Sequence, residues 1–140
     1  MKFIIVQNQQ QLEEAYTIRK KVFVDEQNVP MEEEIDEFEE DAIHFLLYSE
    51  YDKPIAAGRF RVVDGYGKVE RICVLAEQRG IGAGKYIMES IAAYAEQNGF
   101  NKLKLNAQTH AIRFYENLGY EVVSEEFMDA GIPHKTMVRH

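Results

Sequence analysis

The chain reads as one α/β domain, a mixed and mostly antiparallel sheet flanked by helices, on three observations. Its 140 residues suffice for one sizeable core and are too few for two. Strand-like runs bounded by turn residues follow one another through the middle of the chain as a meander. A strand, a glycine-rich turn and a helix then succeed one another directly, the opening of a β-α-β unit. No repeat, low-complexity tract or Pro/Gly/Ser linker divides the sequence, so residues 1–140 are taken as a single unit.

In chain order, Phe3 to Val6 is a short strand, and Gln10 to Asp25 is a helix with Leu12, Ala15, Tyr16, Ile18, Val22 and Phe23 roughly on one face. The acidic stretch Asn28 to Asp41 is a loop or a loose helix. Ile43 to Ser49 and Ile55 to Val63 form a hairpin around Tyr51 to Pro54, and after the turn Asp64-Gly65-Tyr66-Gly67 a third meander strand runs from Lys68 to Leu75. From Gly82 onward Ile87, Met88, Ile91, Ala92 and Ala95 recur at helical spacing up to the stop signal Asn98-Gly99. Strand Lys102 to Ala107, helix Ala111 to Asn117 and strands Glu121 to Phe127 and Thr136 to Arg139 complete the expected order.

A hydrophobic share of 46% and a charged share of 29% belong to an ordinary packed protein. The N-terminus MKFIIVQNQQ lacks the apolar length of a signal peptide or membrane span, which leads to an expectation of a cytoplasmic protein with no membrane partner. The lone Cys73 excludes an internal disulfide, and the absence of a Cys/His cluster at ligand spacing argues against a metal. Residues 25–52 hold 12 of the 24 acidic side chains and no Lys or Arg, which leaves the rest of the chain with 16 basic and 12 acidic residues, a balance of +4. Such asymmetry lets one part meet an anion and another a cation, and without a basic stripe nucleic acid is an improbable partner.

The turn Arg79-Gly80-Ile81-Gly82-Ala83-Gly84, set between a strand and a helix, is a physical anion site: first-turn N–H groups have no internal partner and the helix dipole favours negative charge. A P-loop does not fit, since three residues separate Gly80 from Gly84 and Tyr86 follows Lys85. A dinucleotide fingerprint fits poorly, because Gly80, Gly82 and Gly84 alternate. The pattern of Arg79, Gly82 and Gly84, with Gly80 a common companion, resembles the pyrophosphate loop of the GNAT (Gcn5-related) N-acetyltransferases. The strand Val69 to Val74 before it and the segment His110 to Tyr120, with its Phe114-Tyr115 and Gly119-Tyr120, resemble the same family in the same order.

That resemblance implies a GNAT fold with a V-shaped splay between the fourth and fifth strands, acetyl-CoA as co-substrate without a metal, and a small-molecule or peptide amine as acceptor. It also allows a homodimer. The cofactor-binding residues implied are Ile72, Cys73, Val74, Arg79, Gly80, Ile81, Gly82, Ala83, Gly84, Lys85, Asn106 and Tyr115. N–H groups near Cys73 and Val74 would face the thioester oxygen. Tyr115 matches the family's general acid and Glu70 the position of a general base, although a solvated or salt-bridged Glu70 is an equal reading. Cys73 is expected to pack rather than attack.

Ile18-Arg19-x-x-Val22-Phe23-x-x-Glu26-Gln27-x-Val29-Pro30, with Glu34 and Asp36, resembles a branch of small bacterial GNAT proteins and the start of acyl-homoserine lactone synthases, which are longer and usually carry a Trp absent from this chain. Glu26, Glu34 and Asp36 are the acceptor-site candidates. The acidic run Glu32 to Asp41 is either a solvated face or an attractor of a cationic amine. His44 is a satisfied strand histidine, His110 a helix-start residue, and His134 lies in a hairpin that could overhang the acceptor pocket, with no catalytic role assigned to any of the three. An acyl-CoA-binding sensor without catalysis is the alternative class.

Overall fold

A computed structural model describes residues 1–140. Strand β1 (Lys2–Ile5) leads into helix α1 (Gln9–Arg19), the one-turn helix α2 (Met31–Glu34) and the meander β2 (Ile43–Tyr48), β3 (Pro54–Val63) and β4 (Tyr66–Val74). Helix α3 (Ala83–Gln97) connects β4 to β5 (Leu103–Gln108), after which α4 (Ile112–Glu116), β6 (Glu121–Val122), β7 (Phe127–Asp129) and β8 (Ile132–Arg139) follow. All strands join one sheet in the order β1-β2-β3-β4-β5-β8-β6, with β7 also paired to β8. No helix is long and apolar enough to cross a membrane.

Helices cover both faces. On one, Ile87, Met88, Ile91 and Ala95 of α3 pack on Phe45, Phe60, Val69 and Leu105. On the other, Ala15, Ile18 and Val22 pack on Leu46, Ala57 and Cys73. The Asn8 side chain caps α1 by accepting the Gln11 N–H at 2.9 Å. Beyond Arg19 the helix continues in the wider π form over Lys20–Glu26, so the single helix expected to Asp25 changes pitch midway.

The β3–β4 connection is tighter than expected. Asp64 and Gly65 alone form the turn, at φ 52° and 80°, the paired left-handed conformation that suits a two-residue hairpin. Farther along, Ala57 faces Cys73 while Arg59 faces Glu70, so Arg71 and Ile72 share the single position opposite Gly58. This bulge holds Arg71 at φ 58° and bends β4. Parallel pairing of β4 with β5 is confined to Gly67↔Leu103 and Lys68↔Lys104. From there the strands part to form the V, while β5 stays paired to β8 from Leu103↔Arg139 to Gln108↔His134.

The last hairpin departs from expectation. The strand expected over Glu121 to Phe127 divides into β6 and β7, and the strand expected from Thr136 begins at Ile132. Proline discourages a strand reading because it lacks an N–H, but Pro133 lies beyond the last β5 partner, opposite Met128 of the short β7, and interrupts no β5 hydrogen bond.

Gly67 sits at the apex of the V, where a Cβ would meet the Phe60 ring at 2.6 Å. Gly67→Ala is therefore expected to lower stability by about 1–3 kcal/mol. The measurement is the urea midpoint at unchanged m-value.

Candidate active site

A cleft of about 1230 Å³ opens between the diverging strands. The glycine turn forms one end. Gly80 and Gly82 both adopt φ 85°, with nothing within 4 Å of where a Cβ would lie, and Gly82 immediately precedes α3. Backbone is thus bare at the start of a 15-residue helix, as an anion site requires. Gly84 serves packing, since its Cβ would approach Phe114 at 3.3 Å. Of the expected cofactor residues, Ile72, Cys73, Val74, Arg79, Gly80, Gly82, Ala83, Gly84, Lys85, Asn106 and Tyr115 border the cleft. Ile81 does not; its side chain is exposed to solvent.

Arg79 donates from Nε to the Val74 carbonyl at 3.0 Å and forms a bidentate pair with Glu26 at 2.6 and 2.8 Å. The pair draws the Glu26 carboxyl below its ordinary range. Glu26, expected among the acceptor residues, therefore stands at the glycine turn with its carboxylate taken. The adjacent Gln27 accepts a 2.8 Å hydrogen bond from Gln108 at the end of β5. Two consecutive residues thus join the two limbs of the V.

The acidic run divides: Glu32, Glu33, Glu37, Glu40 and Asp41 form a solvated face, while Glu34, Asp36 and Glu39 turn inward. Glu34 and Glu39 are buried, as are Arg19 and Arg59. Arg19 donates Nε to Glu34 at 3.0 Å and a two-pronged grip to Glu39 at 2.8 and 2.7 Å. Arg59 binds Asp36 at 2.8 and 3.1 Å, Glu39 at 3.0 Å and Glu70 at 3.0 Å. Arg71, carried outward by the bulge, reaches Asp36 at 3.1 Å and Glu34 at 3.1 Å. Glu34 and Asp36, also expected to meet the acceptor, do border the cleft, but as ligands of the protein's own guanidiniums.

Glu70 has three cationic neighbours: Arg59, Arg61 at 2.7 and 3.0 Å, and Lys68 at 3.4 Å. Burial alone would raise its carboxyl, but Arg61, Arg59 and Lys68 hold it at about 2. Burial is likewise overcome at Asp36, by Arg59 and Arg71, and at Glu39, by Arg19 and Arg59; both carboxyls lie below their ordinary values. Glu34 differs, since burial outweighs Arg19 and Arg71 and raises it.

Cys73 faces the α1 side at 5% exposure, where burial pushes its thiol up to about 12. Tyr115 packs edge-on against Phe114 and Tyr120, and burial raises its hydroxyl above the usual value. Asn106 Oδ1 accepts from Thr136 at 2.9 Å. His44 meets the Glu39 carbonyl through Nε2 at 2.8 Å, but its buried Nδ1 has no hydrogen-bond partner, so the ring is only half satisfied, contrary to expectation; His110 contacts Gln108 at 2.7 Å. His134 borders the cleft from β8. Sequence reasoning placed Arg19 beside the acidic motif without seeing its burial, and missed Arg59 and Glu39. The signal for Arg19 was its place four residues after Ala15 and three before Val22, on the buried stripe.

Arg59→Met should cost about 3–5 kcal/mol in chemical denaturation, because it leaves Asp36, Glu39 and Glu70 undercompensated. Carboxyls lowered by folding add stability above the unfolded value, and that contribution disappears as pH falls through the folded value. For Glu70 the window runs from about 4.5 down to about 2, while Glu34 acts in the opposite sense. A shallower acid decline of the denaturation midpoint in Glu70→Gln than in the wild type is the expected result.

Comparison with known proteins agrees with this architecture. A family described as an acetyltransferase (GNAT) domain matches residues 5–140. The Bacillus subtilis (strain 168) protein called uncharacterized N-acetyltransferase YjcF is 51% identical over 140 residues, covering 99% of each chain. The crystal structure of Escherichia coli ElaA superposes with a TM-score of 0.88 at 26% identity, over 99% of both chains. An acyl-CoA N-acyltransferase from Pseudomonas aeruginosa superposes at 0.89 over the whole of both chains, and at 24% identity that likeness concerns the fold. A relative matched along its full length at half identity extends the agreement from fold to sequence, and the chain belongs to the GNAT family as an acyl-CoA-dependent N-acetyltransferase.

Proposed function

We propose that the chain moves an acetyl group from acetyl-CoA to the amine of a small molecule or peptide by direct attack within the cleft. The observation that carries this reading is the meeting, in one cleft, of a helix start with bare backbone and a strand edge left unpaired by the splay. The turn Arg79 to Gly84, with Lys85, holds the pyrophosphate through backbone N–H groups and the helix dipole. The β4 edge at Ile72 to Val74, where only the Val74 carbonyl is taken by Arg79, pairs with the amide-bearing arm as an added strand would, and Asn106 contacts that arm from the other limb. N–H groups near Cys73 and Val74 stabilise charge on the carbonyl oxygen.

When bound, acetyl-CoA supplies the thioester carbonyl that the amine attacks. Tyr115 borders the cleft and keeps its proton, which makes it the donor to the departing sulfur. Glu70 is assigned a different part from the base expected of it. A carboxylate held at about 2 by three cations is a poor proton acceptor. Together with Asp36 it fixes Arg59, Arg61 and Arg71, and so shapes the acceptor side.

The test is to incubate the protein with acetyl-CoA and a panel of polyamines, amino sugars, amino acids, aminoglycosides and lysine peptides, following CoA release and product mass. Acceptor-dependent release is expected, with kcat reduced about 10²-fold in Tyr115→Phe. CoA binding with silence across the panel would favour a binding module. No CoA binding in calorimetry would overturn the reading.

A further inference from the structure

The ionic network leaves few groups in the cleft able to take a proton. An acceptor amine arrives mainly as an ammonium, with a pKa near about 10.4, and must lose a proton before it attacks. Glu26, Asp36 and Glu70 are committed to guanidiniums, and Glu34 is held by Arg19 and Arg71 through Oε1 while its unpartnered Oε2 is sealed away from solvent and so from an entering amine. Cys73 and Tyr115 hold their protons, and His110, its Nε2 bound to Gln108, is exposed at the edge of the cleft rather than held within it. Glu32, Glu33 and Asp129 stand exposed at the rim.

His134 is different in kind. It lies directly opposite Gln108 in the β5–β8 register, so the two side chains share a face of the sheet. Gln108 reaches Gln27 on that face, and alternation along β5 places Lys104, the partner of Lys68, there as well. His134 therefore faces the cleft from one limb while Glu70 and its cations face it from the other. Its Nδ1 lies 2.7 Å from the Ile132 carbonyl, which can only accept, so Nδ1 is the donor and in the neutral ring the lone pair falls to Nε2. Phe127 stacks on the ring at 5.9 Å and 21°, which fixes its plane. Although His134 is only 8% exposed, Nε2 has no protein partner and is not among the sealed polar atoms.

We propose that His134 is the general base of the transfer, with Nε2 taking the proton of the acceptor ammonium in the cleft. This rests on the acetyl-transfer reading above. One N–H proton passes to Nε2, and the freed nitrogen lone pair forms the bond to the thioester carbon. As the carbon–sulfur bond breaks, its electron pair leaves on sulfur, which takes the Tyr115 proton; the second N–H proton restores Tyr115, and the imidazolium releases the first to solvent.

The probe is bromoacetyl-CoA, whose reactive carbon lies beside the carbonyl. Attack by Nε2 forms a nitrogen–carbon bond and expels bromide. Peptide mapping by mass spectrometry is expected to find the label on His134, suppressed by excess CoA and absent from His134→Gln, while calorimetry shows CoA binding unchanged in that variant. With an acceptor from the panel, the same variant should lose about 10²–10⁴-fold in kcat. A CoA-protected label elsewhere and not on His134, no label despite CoA binding, or a kcat within about threefold of the wild type overturns the assignment. Failure of the wild type to bind CoA overturns the acetyl-transfer reading itself, and the assignment falls with it.

Discussion

Strands β4 and β5 share hydrogen bonds at only two residue pairs, and backbone beyond that point has to find other partners. Two features keep the parted strands from closing. The bulge at Arg71 and Ile72 opposite Gly58 turns β4 away, and the six-pair ladder to β8 anchors β5 along its whole length. An opening in a sheet is costly unless polar edges are reused. Here the edge at Ile72 to Val74 borders a cleft whose far end is the bare turn of Gly80 and Gly82. Splay, bulge and glycine turn thus border one cleft.

The buried ionic network answers a different constraint. Arg19 and Arg59 lie within the fold, where an isolated charge would be prohibitive, and both are answered by carboxylates from the acidic run. Three members of the run, Glu34, Asp36 and Glu39, therefore turn inward as the counter-charge of the helix and the meander. They also tie α1, α2 and β3 together by charge rather than by apolar packing.

Much of the fold was legible in the sequence. Strand-like runs bounded by turn residues, the helical spacing from Gly82 onward and the alternating glycines placed the sheet, its crossover and the bare glycine turn, because each rests on local geometry. What escaped rests on partners distant in sequence. Glu26 lies 53 residues from Arg79 and Asp36 lies 23 from Arg59, and no local pattern tells a solvated carboxylate from one met by a guanidinium across the fold. Glu70 was read as a proton acceptor or an ion-pair member on equal terms, and the ion pairs it makes with Arg59, Arg61 and Lys68 come from residues on two strands that no local pattern joins. The start of β8 was hidden by Pro133, which marks a loop in sequence but sits here just past the end of the β5 ladder, so His134 was read in a hairpin over the pocket rather than on the strand itself.

The consecutive side chains of Glu26 and Gln27 make the cleft a frame tied at its open end as well as joined at its apex. The two ties differ in nature. Glu26–Arg79 is an ion pair with both members about 40% exposed, whereas Gln27–Gln108 joins two uncharged amides. Counter-ions screen the first and leave the second untouched. Ionic strength therefore acts on one side of the frame alone, and the mouth of the cleft yields lopsidedly, from the β4 limb, with the amide tie as its pivot.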